Sequence, residues 1–222
     1  MFKEAAEMLV GEPLFPVETD GSADDKAGRV LVIACGALAR EIVAIREKNR
    51  LDHLDITCLP AKLHNSPEKI PDEVRRAILK NADTYSDILI AYGDCGTGGL
   101  LDKVLEETGA RRIDGAHCYA FFTGIDEFDQ MEDDQLGTFY LTDFLARHFQ
   151  TMVIEPLGLD WHPHLRDMYF AHYTRVLYLA QTDDPALEDA ARRAADRLGL
   201  PFEMRRTGYG LLQPFLDKGQ AD

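Results

Sequence analysis

The most constraining feature of the chain is a repeated alternation between continuous apolar runs and helix-period segments. Val30–Ala34 (VLVIA) is apolar and β-branched throughout, the pattern of a strand covered on both faces. Residues 37–49 follow with Leu38, Ile42 and Ile45 spaced on one helical face. Leu54–Leu59 makes a second strand, closed by Pro60, and residues 67–84 read as a polar, amphipathic helix. Asp87–Tyr92 is a third strand, leading through Gly93–Gly99 into a helix over Leu100–Thr108 that Gly109 stops. Successive βα units require a mostly parallel sheet wound with right-handed crossovers. The expected fold class is therefore α/β, a Rossmann-like sheet with helices on both faces.

The rest of the chain is less regular. Arg112–Phe122 is expected as a fourth strand, the acidic stretch from Asp126 to Asp134 as a solvated loop, and Phe139–Phe149 as a helix. Arg175–Gln181 and Phe202–Arg206 read as strands around a helix at Pro185–Leu198, which Asp183 or Asp184 would cap, and a short helix ends the chain. Residues 1–28 read as an N-terminal helix and lead-in loop. Residues 29–222 read as one α/β domain, with a lobe boundary expected near 124–138.

Charge excludes one class of partner. Lys and Arg number 24 against 39 Asp and Glu, a net charge of −15, and no basic cluster exists to meet a nucleic-acid backbone. No apolar run is long enough to span a bilayer, and the N-terminal MFKEAAEMLVGEPLF carries acids where a signal peptide is cationic. A cytoplasmic location is expected. In a reducing compartment, cysteines act as free thiols, ligands or nucleophiles rather than as disulfides.

That matters because the four cysteines, Cys35, Cys58, Cys95 and Cys118, each fall at or just beyond the carboxyl end of an expected strand. Ligands of α/β proteins bind at that edge. No CxxC pair is present, which disfavours a zinc ribbon but leaves open a site assembled by topology, holding zinc or an iron–sulfur cluster on the four thiolates. The competing expectation is that these are small buried residues. Gly93, Gly96, Thr97, Gly98 and Gly99 surround Cys95, and their amides at the start of a helix would favour a small anion or a cofactor. The same place would lower a thiol pKa and make Cys95 a nucleophile. His64 is the acid–base candidate nearest this edge, and Glu41, in the first turns of the first helix, would orient a ligand or meet the helix dipole. His117 adjoins Cys118. His162 and His164 have a spacing that in an extended loop puts both on one face. Arg175 is a possible anion contact.

Taken together, Cys35–Glu41, Leu59-Pro60 with Leu63–Asn65, Tyr92–Gly96, Cys118, Gly137–Thr142 and Tyr169–Arg175 resemble the uncharacterised DUF1638 family, from about residue 29 to Gly210. The resemblance implies a role near corrinoid-dependent methyltransferase systems and one-carbon transfer. The expected function is thus a metal- or iron–sulfur-dependent protein serving methyl or corrinoid-linked thiol chemistry. Its partners would be a small-molecule substrate or a corrinoid protein. Two alternatives stand beside it: a non-catalytic module that binds a small anion or a partner, and a metal-free cysteine-nucleophile enzyme.

Overall fold

The computed structural model describes residues 28–134 and 137–218. The expected N-terminal helix lies outside the described residues. The chain is an α/β protein of two compact units, one running to Phe121 and resuming at Leu211, the other spanning Phe122–Gly210.

The first unit holds a four-stranded parallel sheet, in the order β2-β1-β3-β4, made of β1 (Val30–Cys35), β2 (Leu54–Leu59), β3 (Asp87–Ala91) and β4 (Arg111–Arg112). Every residue of β1 is buried, as its unbroken apolar run demands, and Val32 pairs on one side with Ile56 and on the other with Leu89. Helix α1 (Ala39–Asn49) carries the chain from β1 outward to β2. Helix α2 (Ile70–Asn81) carries it back across β1 to β3, and α3 (Leu100–Thr108) leads on to β4. The winding therefore reverses between β1 and β3. A crevice opens at such a reversal, beyond the carboxyl ends of the two central strands, because their following connections diverge.

Two expectations about this unit need correction. Only Arg111 and Arg112 of the fourth strand pair with β3, and Tyr119–Thr123 forms a short helix, α4. The polar Asp114-Gly115 turn ends the strand early, and the apolar Ala120, Phe121 and Phe122 are buried from a helix rather than a strand. Cys118 accordingly sits in the turn before α4, not at a strand end. Near the C-terminus, α9 (Leu212–Asp217) returns to pack on α1.

The second unit is built on a three-stranded parallel sheet, β5-β6-β7, of Thr138–Leu141, Arg175–Ala180 and Phe202–Arg206. Here the acidic segment is a helix, α5 (Ile125–Asp134), with Phe128 fully buried, so its apolar residues set the structure against its charge. Residues 139–149 split into β5 and a short helix, α6 (Asp143–Arg147), because Thr142 caps the helix by accepting the Leu145 amide at 3.3 Å. Asp143 is buried. It accepts from the Tyr178 hydroxyl at 2.7 Å, the Gln181 amide at 3.0 Å and the Thr182 hydroxyl at 2.5 Å, which ties the end of β5 to the end of β6. After α7 (Leu165–Tyr169), α8 (Pro185–Leu198) starts on the Asp184 side-chain cap and lays Leu187, Ala191, Ala194 and Leu198 into the core.

Candidate functional site: a thiol cluster at the β1–β3 switch

Cys35 ends β1 and caps the single 3-10 turn Gly36–Leu38, its sulfur accepting the Ala37 amide at 3.4 Å. Gly36 is required there by close approach, since a Cβ would stand 3.0 Å from the Leu59 carbonyl oxygen. On its other side the Cys35 sulfur meets His64 Nε2 at 3.3 Å; His64 is delivered by the 3-10 turn Ala61–Asn65 that follows Pro60. Burial pushes the Cys35 thiol up to about 12, against the lowering effect of the Ala37 amide. Its ordinary protonated form is thereby favoured, with His64 Nε2 as its side-chain hydrogen-bond partner.

Cys95 follows β3. Its backbone is left-handed, at φ 51°, a conformation that costs a non-glycine residue roughly 1–2 kcal/mol. Two interactions hold it. Asp94 and Cys95 donate their amides to the carbonyls of Gly115 and Ala116, at 3.0 and 2.7 Å, extending the end of β3 along the 115–118 loop. The Asp94 carboxylate then gathers the turn beyond, accepting from the Thr97 hydroxyl at 2.5 Å and the amides of Gly98 and Gly99 at 3.0 and 2.8 Å. Burial pushes that carboxyl up, but the Thr97 hydroxyl and the Gly99, Gly98 and Gly96 amides outweigh it and hold the group below its ordinary range.

Three of the five residues expected to bind a ligand, Thr97, Gly98 and Gly99, are thus engaged within the turn. The donors expected to cradle an external anion are engaged by an internal one, Asp94. Gly93 instead makes room for a neighbouring segment. A Cβ on it would stand 2.9 Å from the His117 carbonyl carbon, so the missing side chain lets the loop close on β3.

The closure brings Cys118 to Cys95. Cys95 is held below the ordinary thiol range, first by the neighbouring Cys118 side chain; burial opposes this, and the His117 side chain, the charge of His64 and the Cys118 amide reinforce it. For Cys118 its neighbour Cys95 and its burial push the thiol far up. The two thiols titrate together, with Cys95 displaced downward and Cys118 upward. Cys95 and Cys118 are 5% and 9% exposed.

Cys58 stands further out. It is half-buried, and burial followed by the charge of Cys35 pushes its thiol up to about 12. Its neighbour across the ladder is Ala34 while that of Cys35 is Leu59, so the two cysteines occupy successive levels and project from opposite faces of the sheet. Glu41 is buried in the first turn of α1, and its charge reaches Cys35.

Two site residues escaped the sequence reasoning. Tyr92 is 1% exposed; its hydroxyl reaches toward the Cys35 sulfur, too loosely to be satisfied as a hydrogen bond. Burial, then the charges of Cys35 and Cys58, push it well above the ordinary phenol range. The signal was a tyrosine ending an otherwise aliphatic strand. His117, noted only as a neighbour of Cys118, helps to hold the Cys95 thiol below its ordinary range.

The remaining candidates lie in the second unit. Arg175 is committed to Glu203 at 2.6 Å and the Thr138 hydroxyl at 3.1 Å, which corrects its reading as an anion contact. The rings of His162 and His164 lie 5.9 Å apart on exposed turns. Among the described residues, no group of three or more His, Cys, Asp or Glu side chains is arranged so that it could hold a metal ion. The thiols suit a soft ion by chemistry; their arrangement does not form its ligand set.

Residues 58–216 match the family described as "Protein of unknown function (DUF1638)". The chain belongs to DUF1638. The matched segment takes in Cys58, Cys95 and Cys118 and begins after Cys35. No curated protein matches. Among solved structures, BdcA (YjgI) from E. coli matches at 13% identity over 87% of this chain and 89% of that one, with a TM-score of 0.20, a level that carries no inference. No helix among the described residues is long and apolar enough to cross a membrane.

Proposed function

We propose that this DUF1638 protein is a cysteine-nucleophile enzyme whose reactive group is the Cys95 thiolate. The observation that carries the reading is the placement of Cys95 in a left-handed turn beyond β3, its amide held by the Ala116 carbonyl, where its Cys118 and His117 neighbours favour the thiolate. The thiolate attacks a small electrophilic carbon; the sulfur–carbon bond forms as the leaving group departs with its electron pair. His117 and His64 are the acid–base groups near that event, and Cys35 hydrogen-bonds His64. Placement at the β1–β3 reversal supports the reading, since α/β proteins bind substrates there. The substrate class is a methyl or other one-carbon group carried by a small molecule or a corrinoid protein, as the family resemblance implies.

Zinc or an iron–sulfur cluster on Cys35, Cys58, Cys95 and Cys118 is the competing reading, which rests on the softness of thiolate ligands. Two measurements on anaerobically purified protein decide between them. Iodoacetamide at about pH 6, where an ordinary thiol of pKa about 8.5 is almost wholly protonated, is expected to label Cys95 ahead of the other three cysteines. Elemental analysis is expected to find substoichiometric zinc and iron. Uniform labelling together with one equivalent of metal would replace the nucleophile with the metal site.

A further inference from the structure

We infer that Cys35 fixes the tautomer of His64: its thiol proton is directed at Nε2, so neutral His64 keeps its own proton on Nδ1 and offers it at the carboxyl edge of the sheet as a hydrogen-bond donor. Cys35 is then a positioning residue that acts through His64. This deepens the reading of Cys95 as the nucleophile and rests on it for the substrate, since it adds which part of that substrate His64 meets.

The hydrogen bonds around the Cys35 sulfur assign the proton. The sulfur accepts the Ala37 amide at 3.4 Å and meets His64 Nε2 at 3.3 Å. A thiol has one proton to give, and burial keeps it on the sulfur, because Cys35 is 1% exposed and its pKa is pushed up to about 12. An alternative acceptor is the Tyr92 hydroxyl: Ala34 pairs with Ala91, so Cys35 and Tyr92 stand side by side at the next level of the sheet. That hydroxyl is buried and makes no hydrogen bond. The thiol proton therefore goes to His64 Nε2, which accepts it as a bare ring nitrogen, and the ring proton of the neutral imidazole is left on Nδ1.

The other edge of the ring faces no protein partner. His64 is half-buried, and among the described residues its Nδ1 makes no hydrogen bond. The segment that carries His64 runs on to Pro67, and a Cβ on Gly96 would stand 3.6 Å from the Pro67 side chain, so this segment packs beside the turn that holds Cys95. With the Nε2 lone pair occupied and a proton on Nδ1, His64 is set to give a hydrogen bond rather than to take a proton. It suits a substrate whose leaving atom carries a lone pair, oxygen or nitrogen, which Nδ1–H holds while the Cys95 sulfur attacks the carbon.

The test is a long-range proton–nitrogen correlation spectrum of isotope-labelled, reduced full-length protein at about pH 8, above the ordinary histidine pKa of about 6.5. The His64 signals are those that His64→Gln loses. The expected pattern is a bare Nε2 and a protonated Nδ1. Cys35→Ser keeps a hydroxyl donor and is expected to keep the pattern, whereas Cys35→Ala is expected to lose it and show both tautomers in exchange. A wild-type His64 protonated on Nε2, or on both nitrogens, would overturn the inference, and so would an unchanged tautomer in Cys35→Ala. If neither Cys35 variant folds, the wild-type pattern decides alone. None of these spectra reads Cys95, whose role as nucleophile stands or falls on the order of iodoacetamide labelling, so the two readings fail separately.

Discussion

At the scale of single residues, the site turns on where one proton sits. Cys95 and Cys118 are both buried, and burial alone would keep both protonated. Their mutual influence breaks that symmetry, lowering Cys95 while raising Cys118. His117 and His64 act on the Cys95 side of the pair. Replacing Cys118 should undo the arrangement. Cys118→Ala removes the first contribution that lowers Cys95 and leaves burial, which raises it. The midpoint of Cys95 alkylation against pH should therefore move upward in this variant, by at least one unit, a tenfold loss of thiolate at a pH between the two midpoints. An unmoved midpoint would mean that the histidines, not Cys118, hold the charge.

At the scale of elements, the site depends on how tightly the end of β3 closes against the 115–118 loop. Gly93→Ala places a Cβ 2.9 Å from the His117 carbonyl carbon and 3.1 Å from the Gly115 carbonyl oxygen, backbone atoms that cannot swing aside. The expected cost is about 1–3 kcal/mol of stability, measured by denaturant unfolding, with the Cys95 alkylation midpoint rising because Cys118 is pushed away. The elements that form this edge were largely legible in the sequence. The unbroken apolar runs of β1 and β3 and the proline after β2 predicted where the strands end, and hence that Cys35, Cys58 and Cys95 share an edge. Cys118 reaches the site differently, through a loop and a short helix, because Asp114 and Gly115 cut the fourth strand to two residues. The Phe139–Phe149 segment misled for a related reason: its apolar residues suit both periods, and only the Thr142 cap divides strand from helix. The glycine-rich turn signalled exposed amides, yet nothing in its composition shows that Asp94 turns back to take them. Tyr92 was hidden as one more apolar residue of a strand.

At the scale of the whole molecule, the buried thiols link stability to pH. Cys35 and Cys58 have folded-state values raised to about 12, above the value of about 8.5 for an unfolded thiol. Their contribution is fully present below about pH 8.5 and is lost as pH climbs toward about 12, because the unfolded chain releases these protons first. Cys95 has the opposite sign: its pKa is lowered on folding, so its contribution is present at high pH and fades on acidification. Denaturant unfolding between about pH 9 and 11 should show a shallower loss of stability in Cys35→Ser/Cys58→Ser than in wild type. Equal slopes would mean that the two thiols already ionise in the folded chain. The most direct measurement counts thiolates in the intact molecule, by the ultraviolet absorbance of the thiolate as pH is varied under anaerobic conditions. One thiolate per chain at about pH 7, lost on acidification and absent from Cys95→Ser, is the predicted result. A chain that shows no thiolate until the pH passes the ordinary thiol range, or one whose thiolate survives in Cys95→Ser, would contradict it.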